Sequence, residues 1–224
     1  MTKIFLMGSE SINSEMRELL NGKAEFTKEI GSADLVINTS NYPEYEKSEE
    51  LQYIESQTPN NVPIFTSSLC FAVSDQCALQ AHPERLVGIG LYDTFSKAKR
   101  IEIAPSKITH PEILKNAEKF LNEAGITYSI VPDRVGMIFP RIVSMIINEA
   151  VQVYSEQIAS KEDIDTAMKL GTNYPFGPLE WADRLGAELV YNILAGLQRD
   201  FGEDRYRPHP TLKEMFKLNK KFYS

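Results

Sequence analysis

The chain contains little cysteine, which limits the chemistry it can support. Only Cys70 and Cys77 occur among its 224 residues. Their spacing is not that of a metal site, and two cysteines without such a spacing are typical of thiols in a reducing compartment. We therefore predict two buried thiols and no metal centre.

Long apolar runs and clusters of positive charge are also missing. No segment approaches the roughly 18 consecutive apolar residues that span a bilayer, and residues 1–8 lack a signal-peptide pattern. The chain carries 24 Lys and Arg against 31 Asp and Glu, a formal net charge of -7, without a Lys/Arg-rich run. This charge balance disfavours nucleic acid as a partner. We expect a cytoplasmic protein with neither a nucleic-acid nor a membrane partner.

The composition itself is that of an ordinary globular protein, with 42% apolar and 25% charged residues. From residue 45 onward, short apolar runs alternate with helical patterns up to about residue 131, and only helical patterns follow. Such alternation is typical of a mostly parallel sheet covered by helices. We expect about six or seven strands and then an all-α region.

The first motif is a strand, a glycine and a helix. The apolar run 3–7 ends at Gly8, and the helix predicted after it could hold a pyrophosphate at its N-terminal N–H groups. A dinucleotide fingerprint has glycine at its first, third and sixth positions. Here only Gly8 is present, because Glu10 and Asn13 occupy the other two positions. Gly8 is thus the one cofactor-binding candidate, and the Glu10 carboxylate would repel a pyrophosphate.

The most informative stretch lies in the last third of the chain. Ser160 followed by Asp163 predicts a helix start. Gly171 is placed to end that helix in a left-handed turn, and Pro178 to begin the next helix. The stretch contains the runs SKEDIDTAMKLG and YPFGPLEWAD, and RYRPHPTL follows further on. These runs resemble the C-terminal domain of the 3-hydroxyacyl-CoA dehydrogenase family.

The resemblance implies both a fold and a domain boundary. It predicts an α/β Rossmann-like, mostly parallel sheet over residues 1–132, reduced because the chain between Gly8 and the strand 33–37 is short for the family. Residues 133–224 would form an all-helical domain that resembles the family's dimerisation domain. The predicted helix 141–156 has apolar residues around nearly its whole circumference, so we expect it to be buried on all sides.

The resemblance also implies a catalytic arrangement, in which a histidine oriented by a glutamate takes the proton of a 3-hydroxyl while hydride passes to NAD. Glu102 matches the orienting glutamate, and Ser67 matches the serine that contacts the substrate oxygen. However, Gly90 stands at the histidine position, Asp93 replaces the asparagine of the same motif, and Pro140 replaces a second asparagine. The catalytic candidates are therefore Ser67 and Glu102, without a base.

The histidines of the chain offer no obvious substitute for that base, since each has a simple structural explanation beside a proline or in a variable loop; they are His82, His110 and His209. Two hypotheses for function follow. The first is a dehydrogenase-like homodimer, a pseudoenzyme with impaired or lost NAD-dependent oxidation, which could still bind an acyl-CoA thioester. The alternative is a genuine NAD-dependent 3-hydroxyacyl-CoA (3-hydroxybutyryl-CoA) dehydrogenase of fatty-acid metabolism with a rearranged site.

Overall fold

Seven short strands form one sheet in the first half of the chain. The computed structural model describes residues 1–42, 44–78, 80–98 and 100–223. The strands are β1 Lys3–Met7, β2 Glu25–Phe26, β3 Leu35–Asn38, β4 Ile64–Ser67, β5 Leu86–Ile89, β6 Ile101–Pro105 and β7 Tyr128–Ile130. Their order across the sheet is β2-β1-β3-β4-β5-β6-β7, and every pair is parallel except β5 with β6.

The central strands are apolar runs because they are covered on both faces. Every residue of β3, β4 and β5 is buried, as expected for parallel strands with helices on both sides. The helices of this half are α1 Glu10–Leu19, α2 Glu44–Gln57, α3 Val73–Cys77 and α4 Pro111–Glu123. A single 3-10 turn, Ile30–Ser32, lies between β2 and β3. The predicted reduced, Rossmann-like sheet is confirmed.

The chain divides into two compact units, Met1–Met137 and Ile138–Ser224. The second unit contains α5 Phe139–Ser155, α6 Lys161–Thr172, α7 Pro178–Leu185, α8 Ala187–Phe201 and α9 Pro210–Lys217. The predicted helical region is therefore confirmed. Within the described ranges, none of the helices is long and apolar enough to cross a membrane.

Helix α6 begins as predicted but does not end at Gly171. The Ser160 hydroxyl accepts a hydrogen bond from the Asp163 N–H at 3.1 Å, which caps the first turn. The helix continues through Gly171, and the left-handed residue is Asn173, with φ of 56°. Asparagine tolerates this conformation better than most residues. The prediction that Gly171 stops the helix was therefore wrong by two positions along the chain.

Helix α5 is buried along one side only, so the prediction of burial on all sides was wrong. Val143, Ile147 and Val151 are buried against the rest of the helical unit, in which α5 packs on α7 and α8. Ile142, in contrast, is 55% exposed, and Tyr154 is 39% exposed. The small unit supplies packing partners for one stripe of α5 and leaves an apolar stripe in contact with solvent.

Candidate functional site

The predicted site residues of the first unit gather at the carboxyl ends of the parallel strands, where open α/β sheets bind their ligands. Gly8 follows β1, residues 38–41 lie at the end of β3, and Ser67 is the last residue of β4. Gly90 directly follows β5. The topology therefore brings together positions that are far apart in the sequence.

Gly90 and Glu102 are cross-strand neighbours. The Gly90 N–H donates to the Glu102 carbonyl at 2.9 Å, which extends the antiparallel register that pairs Ile89 with Ile103. A Cβ added to Gly90 would lie 3.1 Å from the sulfur of Met137, so the thioether already fills much of that space. The carboxylate-bearing residue is thus opposite a position that has no side chain to orient.

Ser67 is held by other side chains of the same edge. It is 1% exposed, and its hydroxyl donates to Asn41 Oδ1 at 2.7 Å. The Asn41 amide donates in turn to the Leu91 carbonyl at 2.9 Å. Ser67 thus belongs to a buried link between the ends of β3, β4 and β5. Asn41 was not among the residues predicted from the sequence, although a polar residue just after a buried strand is a usable signal.

Tyr92 is a buried titratable group that follows β5. Burial raises the pKa of its phenol to about 12, and the carboxylates of Glu102 and Glu15 add to the shift. At neutral pH the phenol therefore keeps its proton. Tyr92 cannot replace a histidine as a general base, which needs a pKa near the working pH.

The turn after β1 requires glycine only at its first position. Gly8 has φ of 116°, and a Cβ there would lie 2.5 Å from Ser40 Oγ. Asn13, at the sixth position of the fingerprint, is buried. Its amide donates to the Gly8 carbonyl at 3.4 Å, and its oxygen accepts from the Thr39 hydroxyl at 2.8 Å. A polar side chain has thus taken over the close packing that a third glycine would allow.

The groups around the first turn of α1 are mostly anionic. Glu10 forms an exposed ion pair with Arg17 at 2.6 Å. The Ser11 hydroxyl donates to Asp93 Oδ1 at 2.5 Å. A pyrophosphate needs exposed N–H groups, close backbone approach and no competing negative charge. With the Glu10 and Asp93 carboxylates at this turn and Arg17 already paired with Glu10, these residues do not fit the pyrophosphate of NAD.

Hydrogen bonds also join the loop after β5 to α1. The Glu15 carboxylate accepts from the Thr94 N–H at 2.9 Å and from the Ser96 N–H at 2.8 Å, and it also accepts from the Ser96 hydroxyl. Thr94 adopts a left-handed conformation, with φ of 75°. Glu15 therefore fixes the loop that carries Asp93 against the helix.

Pro140 and the three histidines make local structural contacts. Pro140 lies in the first turn of α5 and is buried. His110 and His209 cap α4 and α9, where their Nδ1 atoms accept backbone N–H groups at 3.2 Å. His82 lies 3.2 Å from a carboxylate oxygen of Glu84. None of these contacts builds a proton-transfer pair with the predicted site residues.

The two cysteines are buried, as predicted. Burial raises the pKa of the Cys77 thiol to about 11, which keeps it protonated. Across the described part of the chain, no group of three or more His, Cys, Asp or Glu side chains is arranged to hold a metal ion.

Comparison with known proteins agrees with this architecture. Residues 136–222 match the family profile described as 3-hydroxyacyl-CoA dehydrogenase, C-terminal domain. The chain is 40% identical over 116 residues to the 3-hydroxyadipyl-CoA dehydrogenase of Escherichia coli, a match that covers 52% of this chain and 24% of that protein. It is 28% identical over 196 residues to the 3-hydroxybutyryl-CoA dehydrogenase of Clostridioides difficile, covering 86% of this chain and 68% of the relative.

A solved structure gives the same result for the fold. The (S)-3-hydroxybutyryl-CoA dehydrogenase of Ralstonia eutropha superposes with a TM-score of 0.79 at 20% identity, over 97% of this chain and 94% of that chain. The resemblance drawn from residues 160–183 is thereby confirmed. Residues 136–222 therefore match the C-terminal domain of the 3-hydroxyacyl-CoA dehydrogenase family, and the matches support membership of the chain in that family.

Proposed function

We propose that this chain is a member of the family in which NAD-dependent oxidation of 3-hydroxyacyl-CoA is impaired or lost, and which retains its scaffold as a binding or assembly protein. The observation that carries the proposal is the pair formed by Gly90 and Glu102. The Glu102 backbone pairs with Gly90, and Gly90 offers no side chain that a carboxylate could orient, while Met137 packs beside it.

The remaining candidates cannot supply the missing base. Ser67 is buried and its hydroxyl donates a hydrogen bond to Asn41. Tyr92 stays protonated at neutral pH. A general base contributes typically about 10²–10⁴-fold to the rate. Loss of the base alone would therefore still allow slow turnover. However, the Gly8 turn fits NAD poorly, so the hydride acceptor would also be missing.

The alternative is a working NAD-dependent 3-hydroxyacyl-CoA dehydrogenase with a rearranged site. The cross-strand placement of Glu102 favours it, because a carboxylate could act on a substrate hydroxyl directly if it faced the ligand. Under this hypothesis Ser67 would have to release Asn41 to contact the substrate oxygen.

The two hypotheses make opposite predictions in one assay. NADH binding is followed by fluorescence titration, and acetoacetyl-CoA-dependent oxidation of NADH is followed in the same buffer. We expect no turnover above that of the matched Ser67→Ala/Glu102→Ala variant. Saturable turnover that exceeds this variant would overturn the proposal. Calorimetric titration with acetoacetyl-CoA alone then tests whether a thioester still binds.

We further propose that the helical unit forms a homodimer, as the dimerisation domain of the family does. The exposed stripe of α5 supports this, because Ile142 is largely exposed and Met145, Ile146 and Val153 on the same side are half-buried. An apolar stripe of this kind is a typical interface.

A further inference from the structure

A buried amine lies behind the carboxyl edge of the sheet. Lys47, in the first half of α2, is 2% exposed. Its Nζ donates to Asn38 Oδ1 at 2.6 Å and to the Ser40 carbonyl at 2.6 Å. The Asn38 amide donates in turn to Glu50 Oε2 at 2.6 Å. Glu50 is therefore linked to the amine through Asn38, and both direct acceptors of the amine are neutral.

This environment brings the two protonation states of the amine close in free energy. Burying an ammonium without a directly bonded carboxylate is costly, and burial lowers the pKa of Lys47 to about 7. Glu50 on the same helix and Cys70 after β4 are the titratable groups that oppose this shift. A neutral amine has two hydrogens, which match the two acceptors, so both forms keep the same partners.

The segment that Lys47 holds, residues 38–41, connects the strand ends of the site. Ser40 packs on the turn after β1 so closely that a Cβ at Gly8 would lie 2.6 Å from the Ser40 nitrogen. Asn41 accepts from the Ser67 hydroxyl at the end of β4. A displacement of this segment would therefore change the crevice between β1 and β3 and the support of Ser67 together.

We propose that Lys47 is a proton-controlled clamp on residues 38–41. The ammonium form holds the segment tightly against α2 and the β1 turn, and the neutral amine holds it more loosely. The physical reason is that charge-assisted hydrogen bonds are shorter and roughly twice as strong as neutral ones. The clamp needs no ligand and is separate from the question of turnover.

The clamp is tested first in the unmodified protein by NMR. With lysines labelled at Cε, we expect one lysine signal to titrate near neutral pH. The backbone amides of Gly8 and Ser40 should follow the same midpoint. A spectrum in which every lysine titrates above about pH 10 would overturn the proposal. This measurement requires no variant to fold.

Variants then assign the transition. Lys47→Met should abolish it at the Gly8 and Ser40 amides, and Glu50→Gln should move its midpoint to lower pH because the carboxylate favours the charged amine. Lys97→Met, at an exposed position in the first unit, is the matched control and should leave it unchanged. Persistence of the amide transition in a folded Lys47→Met protein would assign it to another group and contradict the clamp.

Discussion

Gly90 and Glu102 face each other across the antiparallel β5–β6 pair, with the Gly90 N–H 2.9 Å from the Glu102 carbonyl oxygen. Under the proposed function, this backbone pairing would set a base at position 90 beside Glu102, and Gly90 supplies no such base. The proposal can therefore be probed by adding a side chain at this position.

Gly90→His should fold but should not produce turnover. The Met137 sulfur, 3.1 Å from the position of a new Cβ, must shift by a few tenths of an ångström, and such overpacking costs about 1–3 kcal/mol. The measurement is acetoacetyl-CoA-dependent NADH oxidation, together with denaturant unfolding. Gly90→Ala is the control for the packing cost. Turnover in Gly90→His alone would mean that the Gly8 turn accepts NAD after all.

Replacing both Glu10 and Asn13 by glycine should improve NADH binding relative to the unmodified chain, because it removes a carboxylate and restores close backbone approach. It should also lower stability, since Asn13 bridges the Gly8 carbonyl and Thr39. NADH fluorescence titration measures the first effect and thermal unfolding the second. The Glu18→Gly variant, at an exposed position further along α1, is the control for helix propensity. Equal NADH affinity in all three proteins would contradict the electrostatic argument.

Asn41→Ala should destabilise the chain more than Ser67→Ala. Asn41 bonds both the Ser67 hydroxyl and the Leu91 carbonyl, so its removal leaves two buried groups without their partner. Each such group costs about 1–3 kcal/mol. Ser67→Ala leaves only the Asn41 oxygen without its donor. Urea unfolding of the two variants compares them directly, and the reverse order of stability would be evidence against the buried link.

The free energy of unfolding should rise with pH above about 7 because of Lys47. Its folded pKa of about 7 lies below its ordinary value of 10.5. Between these pH values the unfolded chain therefore binds more protons than the folded chain. The free energy of unfolding consequently increases with pH, by up to about 1.4 kcal/mol per pH unit. Urea unfolding is measured between about pH 7.5 and 8.5, which lies inside this window. The range avoids the opposite effect on stability of Cys77, whose pKa is raised to about 11. Lys47→Met should lack this slope, and an unchanged slope would assign it elsewhere.

Asp165→Ala should destabilise the helical unit. The buried carboxylate accepts the Leu179 N–H at 2.8 Å and the Glu180 N–H at 3.0 Å, and it also accepts the Tyr223 hydroxyl at 2.9 Å. Removal leaves three donors without this acceptor, a loss on the order of 3 kcal/mol or more. Thermal unfolding monitored by Trp181 reports it, with exposed Glu162→Gln as the control. A change equal to that of the control would contradict the role of Asp165.

Ile142→Glu should convert the proposed homodimer into a monomer, because it places a charge on the exposed apolar stripe of α5. Light scattering after size-exclusion chromatography measures the mass of both proteins. Ser155→Glu adds the same charge at an exposed position on another side of α5 and should leave the mass unchanged. A monomeric parent protein would contradict the dimer itself.

The architecture could be predicted because its signals are local. The apolar run before Gly8 and the Ser160 cap depend on neighbours a few residues away, and they produced the expected strand and helix. The end of α6 could not be located in the same way, since Gly171 and Asn173 are both able to take the left-handed conformation.

The sequence by itself determined the resemblance to the family, the order of strands and helices along the chain, and the absence of a histidine at Gly90, because these are matters of residue identity and short-range pattern. Only the tertiary structure decided that Met137 fills the space beside Gly90, that Lys47 is buried without a direct carboxylate, and that one stripe of α5 stays exposed. Burial and cross-strand contacts depend on partners distant in the sequence, and side-chain periodicity does not identify those partners.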